Sequence, residues 1–302
     1  MIPIESLATV TQDKNLKVLF NKTFALTDAR MQNALSIPLK VDKLVTPLGW
    51  LGSAGTVNEW LDQKKIQSLN QYDYSITVKE WENTVGVKID DIRRDGQGII
   101  VPRIREISGR MKIHPEALLS ALLIAGTSGL AYDGKAFFAN DHESGLSGAQ
   151  DNLLAGALGS TTIGTARKFF KKVKDDNGEP MGLPLTHIVV PSELEETALK
   201  LARSPYDPSG ATMATNIYQG EFEVIVDYRL SDVDDWYAFS ISPGIAPFIY
   251  GWEIAPHMTQ LGSLTRSPET TESFFHKKVY YSAEGNYNFQ YGKWQTAVKF
   301  VN

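Results

Sequence analysis

Asp133, Asp141 and His142 are the side chains of this chain best suited to hold a metal ion. Two carboxylates and an imidazole would give a divalent cation oxygen and nitrogen ligands, and a water on that cation could attack an ester or amide. The pattern around them argues otherwise. Asp133-Gly134 is a common turn pair, and the three residues match no established ligand spacing. A further histidine, His187, falls in Thr186-His-Ile-Val-Val190, an apolar run that reads as a buried strand. A metal-dependent hydrolase using Asp133, Asp141 and His142 is the alternative this cluster keeps open.

Other stretches carry weaker signals. Gly156-Ala-Leu-Gly159-Ser-Thr-Thr precedes a helix but lacks the Gly-Lys-Ser/Thr of a phosphate loop. Gly145-Leu-Ser147-Gly148 is one residue too short for a nucleophile elbow. Asp232, Asp234 and Asp235 read as a solvated acidic loop. With 0 cysteines there is no disulfide, thiolate nucleophile or thiolate metal site, which fits assembly in a reducing compartment. The reading is a non-enzyme: no catalytic residue, no cofactor, no metal.

Bulk properties fit a soluble globular protein. The 302 residues are 42% hydrophobic and 22% charged, enough for one large domain or two intertwined ones. No apolar run reaches the length of a membrane span, and Met1-Ile-Pro-Ile-Glu5 has no basic region or apolar signal core. A formal charge of −5 does not suit strong binding to phosphates.

The elements follow from periodicity. Leu16, Leu19 and Phe20 share a helical face in the first segment, and Asp28 is placed to cap a short helix through Leu35. Trp50 and Trp60 sit on a Gly-rich stretch as packing anchors. Tyr74–Trp81 and Thr84–Ile89 alternate as strands, predicting a projecting hairpin that turns at Glu82-Asn83. Neither face of it is clearly apolar, and an isolated two-stranded ribbon is marginal in water, so it needs a neighbour.

Ile100, Ile104, Ile107 and Met111 form a helical stripe; His114-Pro115 is read as a break, and Leu118, Leu119, Leu122 and Leu123 as a second helix closed by Gly126. Ser160 caps a helix with Ile163, Ala166, Phe170 and Val173 inside. Ser192 and Glu195 are read as a capping box. Strands at 186–190, 221–228, 236–241 and 245–252 complete a compact α/β unit. Three strands at 274–282, 287–291 and 294–301, with turns at Gly285 and Gly292, are expected to lie against the helix of 99–112.

Four motifs then carry a family resemblance. They are Gly49-Trp50-Leu51-Gly52 with Glu59-Trp60; Trp81-Glu82-Asn83-Thr84-Val85; Asp90-Asp91-Ile92 with Gly98 and Pro102; and Tyr132-Asp133-Gly134-Lys135-Ala136-Phe137-Phe138 ending in His142. In register over residues 47–145, they resemble the Mu-like phage major head subunit.

That resemblance implies an α+β chain with the Hong Kong 97-type capsid fold. Its map would be an N-terminal arm (1–46), an extended hairpin loop (47–94), a peripheral domain with a spine helix (95–145 and 256–302) and an axial α/β domain (146–255). It implies a major capsid protein that self-assembles into an icosahedral shell around phage double-stranded DNA. An encapsulin-like shell is the alternative within the fold.

The implied partners are copies of itself in hexamers and pentamers, portal and scaffolding or protease proteins, a decoration protein, and packaged DNA through weak non-specific contact, with no membrane. The implied location is the virion, with assembly in the host cytoplasm. Lys79, Glu80, Trp81, Glu82, Arg93 and Arg94 are the expected intersubunit contacts. Met1 is followed almost directly by the arm, so either a separate scaffolding protein or a processed chain is expected.

Overall fold

The structure is a computed structural model that describes residues 16–49, 74–90, 98, 100–206, 215–261 and 277–302. It begins with helix α1 (16–26) and the short α2 (Arg30–Leu35), then strands β1 (Ser36–Lys40) and β2 (Val45–Pro47). Next come β3 (Ser75–Thr77), β4 (Lys79–Lys88) and the long helix α3 (Ile100–Ile124). After a turn-rich stretch follow β5 (Leu153–Ala155), α4 (Ser160–Lys172), β6 (His187–Val190), α5 (Glu195–Arg203), β7 (Glu223–Val226) and β8 (Trp236–Phe239). Two long strands, β9 (Phe248–Leu261) and β10 (Lys278–Tyr291), and a last strand β11 (Ala297–Val301) end the chain.

Two sheets organise these elements. The first has the order β1-β9-β10-β4, with β1 parallel to β9 and the other pairs antiparallel. The second has the order β5-β11-β8-β6-β7. A small β2–β3 pair lies apart, its Ile76 buried over Gly251 of β9. One continuous apolar cluster runs beneath both sheets.

Helix α3 is built from the stripe visible in the sequence: Ile104, Ile107, Met111, Leu119 and Leu123 are all buried, each contributing about 1.5–3 kcal/mol by leaving water. The predicted break at His114-Pro115 does not occur, and α3 runs unbroken for 25 residues with Pro115 inside. A helical proline loses a backbone hydrogen bond and costs about 3 kcal/mol. Packing on both sides of Pro115 offsets that cost. His114 Nδ1 lies 3.0 Å from the Tyr287 hydroxyl of β10, and its ring sits 4.4 Å from that of Trp81.

Glu116, one residue on, accepts hydrogen bonds from Met31 N (2.8 Å) and Gln32 N (3.2 Å). It thereby satisfies the open N–H groups at the start of α2, a role the sequence had pointed to Asp28 for; α2 has no side-chain cap of its own. Burial raises the Glu116 pKa, and the two backbone donors oppose that shift. Glu116→Ala is expected to lower stability by about 1–2 kcal/mol, while Glu116→Gln, which keeps an acceptor, stays within about 0.5 kcal/mol of the parent. Urea midpoints of the three proteins check this.

Other expectations change with the tertiary context. Helix α3 ends at Ile124 and a 3-10 turn carries Gly126. Gly126 is needed because the Phe138 ring would lie 2.5 Å from any Cβ there. No side-chain cap forms at Ser192; a 3-10 turn over Ser192–Leu194 leads into α5 instead. At α4, Gly159 is the N-cap and Thr162 Oγ1 accepts its N–H at 3.0 Å. The inner face of that helix is as read: Ile163, Ala166, Phe170 and Val173 are buried.

The C-terminal strands also differ. Residues 278–291 form one strand, and Gly285 marks a shift of register against β9 rather than a turn, with the Pro256 backbone 3.2 Å from where a Cβ would lie. Trp294–Thr296 is a buried 3-10 turn. Strand β11 leaves the helix-backed sheet and pairs with β5 and β8 in the second one. Its alternation satisfies either sheet equally, so only the path of the chain selects between them.

Candidate subunit-contact surface

The predicted hairpin is a switch of partners within one molecule. β3 pairs with β2, Val78 N donates to Leu44 O at 3.0 Å, and β4 then runs without a turn along β10 from Tyr287↔Lys79 to Lys278↔Lys88. Glu82-Asn83 lacks the Gly, Pro or positive φ of a tight turn, so nothing stops the strand. Ile76 and Val78, on the face that looked only half apolar, are buried. This segment therefore lies in the fold of its own chain.

The expected contact residues separate into three groups. Trp81 is half-buried and turned inward: its indole N–H donates to Tyr287 O at 2.9 Å, and its ring packs on His114. Lys79, Glu80 and Glu82 are exposed. Glu82 stands directly across from Glu284, a like-charge pair that Thr84 and Thr259 ease by donating to the two carboxylates. Arg93 and Arg94, like Trp50 and Trp60, lie outside the described residues. β4 has β10 on one side and, among the described strands, none on the other, so it ends the sheet. An edge of this length, alternately charged, is a surface that pairs or must be guarded.

The proposed metal ligands do different work. His142 Nδ1 lies 2.6 Å from Asp133 Oδ2, and Nε2 faces Phe137 O at 3.3 Å. Both side chains are buried, at 0% and 1% exposure, and the imidazole stacks on Trp294 at 4.1 Å. Neither ring nitrogen is open to a ligand. Asp133 Oδ1 meanwhile accepts Lys135 N, and Asp141 turns outward to Lys135 Nζ at 2.5 Å. Among the described residues no three His, Cys, Asp or Glu side chains are placed to share a metal.

The same segment is a plug between the two sheets. Phe137 stacks on Tyr291 of β10 at 4.6 Å and meets Phe248 of β9, while Phe138 meets Tyr237 beside the second sheet's core. Asn152 clips it in place, accepting Ala139 N and donating to Phe137 O. Nothing local in the sequence marks Asn152 or Trp294 for this; their partners are distant in the chain.

The acidic loop divides as well. Asp232 is exposed and accepts the N–H groups of Asp234 and Asp235, which lowers its pKa. Asp235 is buried and paired with Lys299 of β11 at 2.6 Å.

Burial pushes the pKa of His114 and of His187 below the ordinary histidine range. A histidine held neutral by the fold binds more protons when unfolded, so stability rises with pH across the gap between its two pKa values. The protein is therefore expected to lose stability as pH falls below about 6.5, and His114→Phe to flatten that loss. Urea unfolding at a series of pH values checks both.

A cleft of about 410 Å³ lies where α2, α3, α5 and β7 meet, lined by Arg30, Arg203 and Arg229 and by Glu116, Glu195 and Asp227. It brings no nucleophile beside a base, so it does not supply an acyl- or phosphoryl-transfer constellation. No helix among the described residues is long and apolar enough to cross a membrane.

Comparison with known proteins places this architecture. The profile of the Mu-like prophage major head subunit gpT matches residues 11–157 and 153–230. The major capsid protein of Escherichia phage Mu is 32% identical over 139 residues, a match covering 45% of this chain and only 46% of that protein. The Mu-like prophage FluMu major head subunit of Haemophilus influenzae is 25% identical over 297 residues, covering 96% of this chain and 74% of its own length.

Among solved structures, the procapsid of bacteriophage JBD30 aligns over 97% of this chain and 75% of that one with a TM-score of 0.56 at 23% identity. A virus-like particle from Pyrococcus furiosus aligns over 95% and 98% with a TM-score of 0.54 at 9% identity. At these identities the structural likenesses establish the fold, the Hong Kong 97-type fold of phage capsids. Family and fold agree with a helix-backed sheet joined to a second sheet: the chain belongs to the Mu-like prophage major head subunit family.

Proposed function

We propose that copies of this chain assemble, as a structural subunit and not an enzyme, into the icosahedral shell that encloses phage double-stranded DNA. The observation that carries the reading is the match of the whole two-sheet architecture to a procapsid subunit over 97% of the chain. On this reading the helix-backed sheet is the peripheral domain with α3 as its spine, and the second sheet is the axial domain around five-fold and six-fold axes. β11 is then assigned to the axial domain. Residues 1–46 and 47–94 remain the proposed arm and extended loop, with β1 and β4 the parts of them that are built into the helix-backed sheet.

A closed shell needs heterologous contacts whose rotation closes. Many weak contacts in parallel make it firm, because later ones form at high effective concentration. The exposed Lys79, Glu80 and Glu82 on the edge strand β4, with Arg93 and Arg94, are the proposed contact residues; Trp81 holds that strand in place from behind. Portal, scaffolding or protease and decoration proteins are the further proposed partners, with assembly in the host cytoplasm.

Electron microscopy of the purified protein tests the proposal. Pentamers, hexamers or shells are expected. A stable monomer under crowded, low-salt and scaffold-supplemented conditions overturns it. An encapsulin-like container, which would share the fold, is the second reading. Particles that hold protein cargo rather than DNA would decide for it.

A further inference from the structure

Leu146 is the most exposed large apolar side chain among the described residues, at 80%. A lone exposed leucine is ordinary, but the loop around this one is built to hold it out. His142 N and Gln150 N each donate to the other's carbonyl and close the loop at its base. Ser144 and Ser147 are buried, with Ser144 N donating to Ser147 Oγ at 3.0 Å. Gly145 and Gly148 both have positive φ, which lets the chain turn outward at Leu146 and back again.

A second tight turn, residues 174–180, locks this loop in place. Leu146 N donates to Asp176 O at 2.8 Å, and the same carbonyl leaves no room for a Cβ at Gly145. Gly178 in turn faces Leu146 O, which would lie 2.9 Å from any Cβ there. The backbone of Leu146 is thus pinned while its side chain is bare, and an anchor so held loses little freedom on binding. Its surroundings are acidic. Over residues 143–148 and 174–180, Glu143, Asp175, Asp176 and Glu179 stand against Lys174, a net of −3, which Lys293 beside Asp175 and Asp176 reduces to −2. Glu143 and Glu179 are exposed.

A matching feature lies on the helix-backed sheet. Phe24 of α1, Pro115 of α3 and Tyr250, Trp252, Ala255 and Pro256 of β9 line a cleft of about 170 Å³. An apolar cavity of about 150 Å³ accepts a benzene ring, so one branched aliphatic side chain fits here. The rim is basic: Lys112 Nζ lies 5.0 Å from the Phe24 ring and Lys40 Nζ 5.7 Å from the Trp252 ring. Glu253, next to Trp252, points to the other face by the pleat of β9 and meets Asn286 there.

Taking the shell reading as given, we infer that Leu146 of one copy fills this cleft on the next copy, with Glu143 and Glu179 facing Lys40 and Lys112. Leu146 is bare on its own chain, and its pinned backbone keeps it from turning back to fill the cleft itself. A knob and a cleft on two different surfaces of one chain are what a heterologous contact requires. The apolar anchor supplies affinity, and the opposite charges around it select the register.

The chain has 0 cysteines, so introduced thiols are unique. Full-length particles carrying Leu146→Cys/Ala255→Cys are expected, on oxidation, to give a covalent ladder of dimers, trimers and longer chains. Particles mixed from Leu146→Cys chains and Ala255→Cys chains are expected to give dimers only, and each single variant none. Leu130→Cys/Ala255→Cys, which places the first thiol at another exposed leucine, is expected to give no ladder. Double-variant particles without a ladder overturn the inference. Dimers from either single variant, or a cross-link from Ala255→Cys to a different protein, also overturn it.

Leu146→Asp is the second arm. The side chain touches little of its own chain, so the thermal midpoint of the subunit is expected to match the parent. Burial of one leucine per contact corresponds to about a tenfold or larger gain in contact affinity, repeated at every copy. Particle yield is therefore expected to fall about tenfold or more, and an unchanged yield overturns the inference. A parent chain that builds no particles overturns the shell reading, and this contact with it. Parent particles that form while the double variant gives no ladder overturn the contact alone.

Discussion

His142→Leu is expected to remove about 1–3 kcal/mol of stability, the cost of leaving a buried polar group without its hydrogen-bond partner. Asp133 is 1% exposed at its side chain and its Oδ2 lies 2.6 Å from His142 Nδ1. Leucine would take the ring's place against Trp294 but offers that oxygen no donor. Against a typical domain stability of about 5–15 kcal/mol, such a loss is a large fraction of the total. The damage also spreads, because the same segment carries Phe137 and Phe138 into both sheets. The double variant Asp133→Asn/His142→Leu is expected to cost less than the sum of its single changes, since both single changes lose the same contact. Lys135→Ala, which breaks only the exposed contact to Asp141, should leave the urea midpoint where it was. A His142→Leu protein with an unchanged midpoint would show that the pair carries no structural weight.

Deleting Lys79–Lys88 is expected to destroy the fold and not merely assembly. The deletion strips β10 of its partner along ten residue pairs, exposes the edge of a strand whose Val279, Tyr281, Ala283 and Tyr287 are core, and removes the Trp81–His114 contact that backs Pro115. Trp81→Ala is the graded form of the same experiment. A fully buried Trp→Ala costs about 3–5 kcal/mol, and the half-buried Trp81 is expected to lose about 2–3. Glu80→Ala/Glu82→Ala touches no core contact, so its thermal midpoint should match the parent while particle yield falls. Circular dichroism with sedimentation analysis separates the two effects. Normal yield from Glu80→Ala/Glu82→Ala would remove these residues from the contact surface, and a folded deletion protein would mean that β4 is an appendage after all.

The structure thus moves the functional weight of this segment. A free-standing ribbon would have made assembly a matter of one projecting arm. An edge strand held by Trp81 makes it a matter of which charges a rigid sheet presents. Lys79, Glu80 and Glu82 stay exposed, and Trp81 turns inward. A strand that alternates Glu, Trp, Glu, Asn, Thr and Val has an inside and an outside by its pleat alone, but which residues meet another chain depends on what fills the inside.

The local readings that held are those fixed by near neighbours in the chain. The 3.6-residue stripe of Ile104, Ile107 and Met111, the inner face of α4 and the apolar strand His187–Val190 needed no distant partner to be recognised. The four motifs that marked the family were legible for the same reason. Pairing was not. Whether Glu82-Asn83 turns or runs on, whether Pro115 ends a helix, whether β11 joins one sheet or the other, and whether Asp133 and His142 face a metal or each other were all decided by residues far away in sequence: Tyr287, Trp294, Asn152, Tyr237. A strand's period of two and a helix's period of 3.6 state which side of an element seeks cover. They say nothing of what covers it, because that depends on the closure of long loops and the packing of whole layers, which no short window of sequence contains.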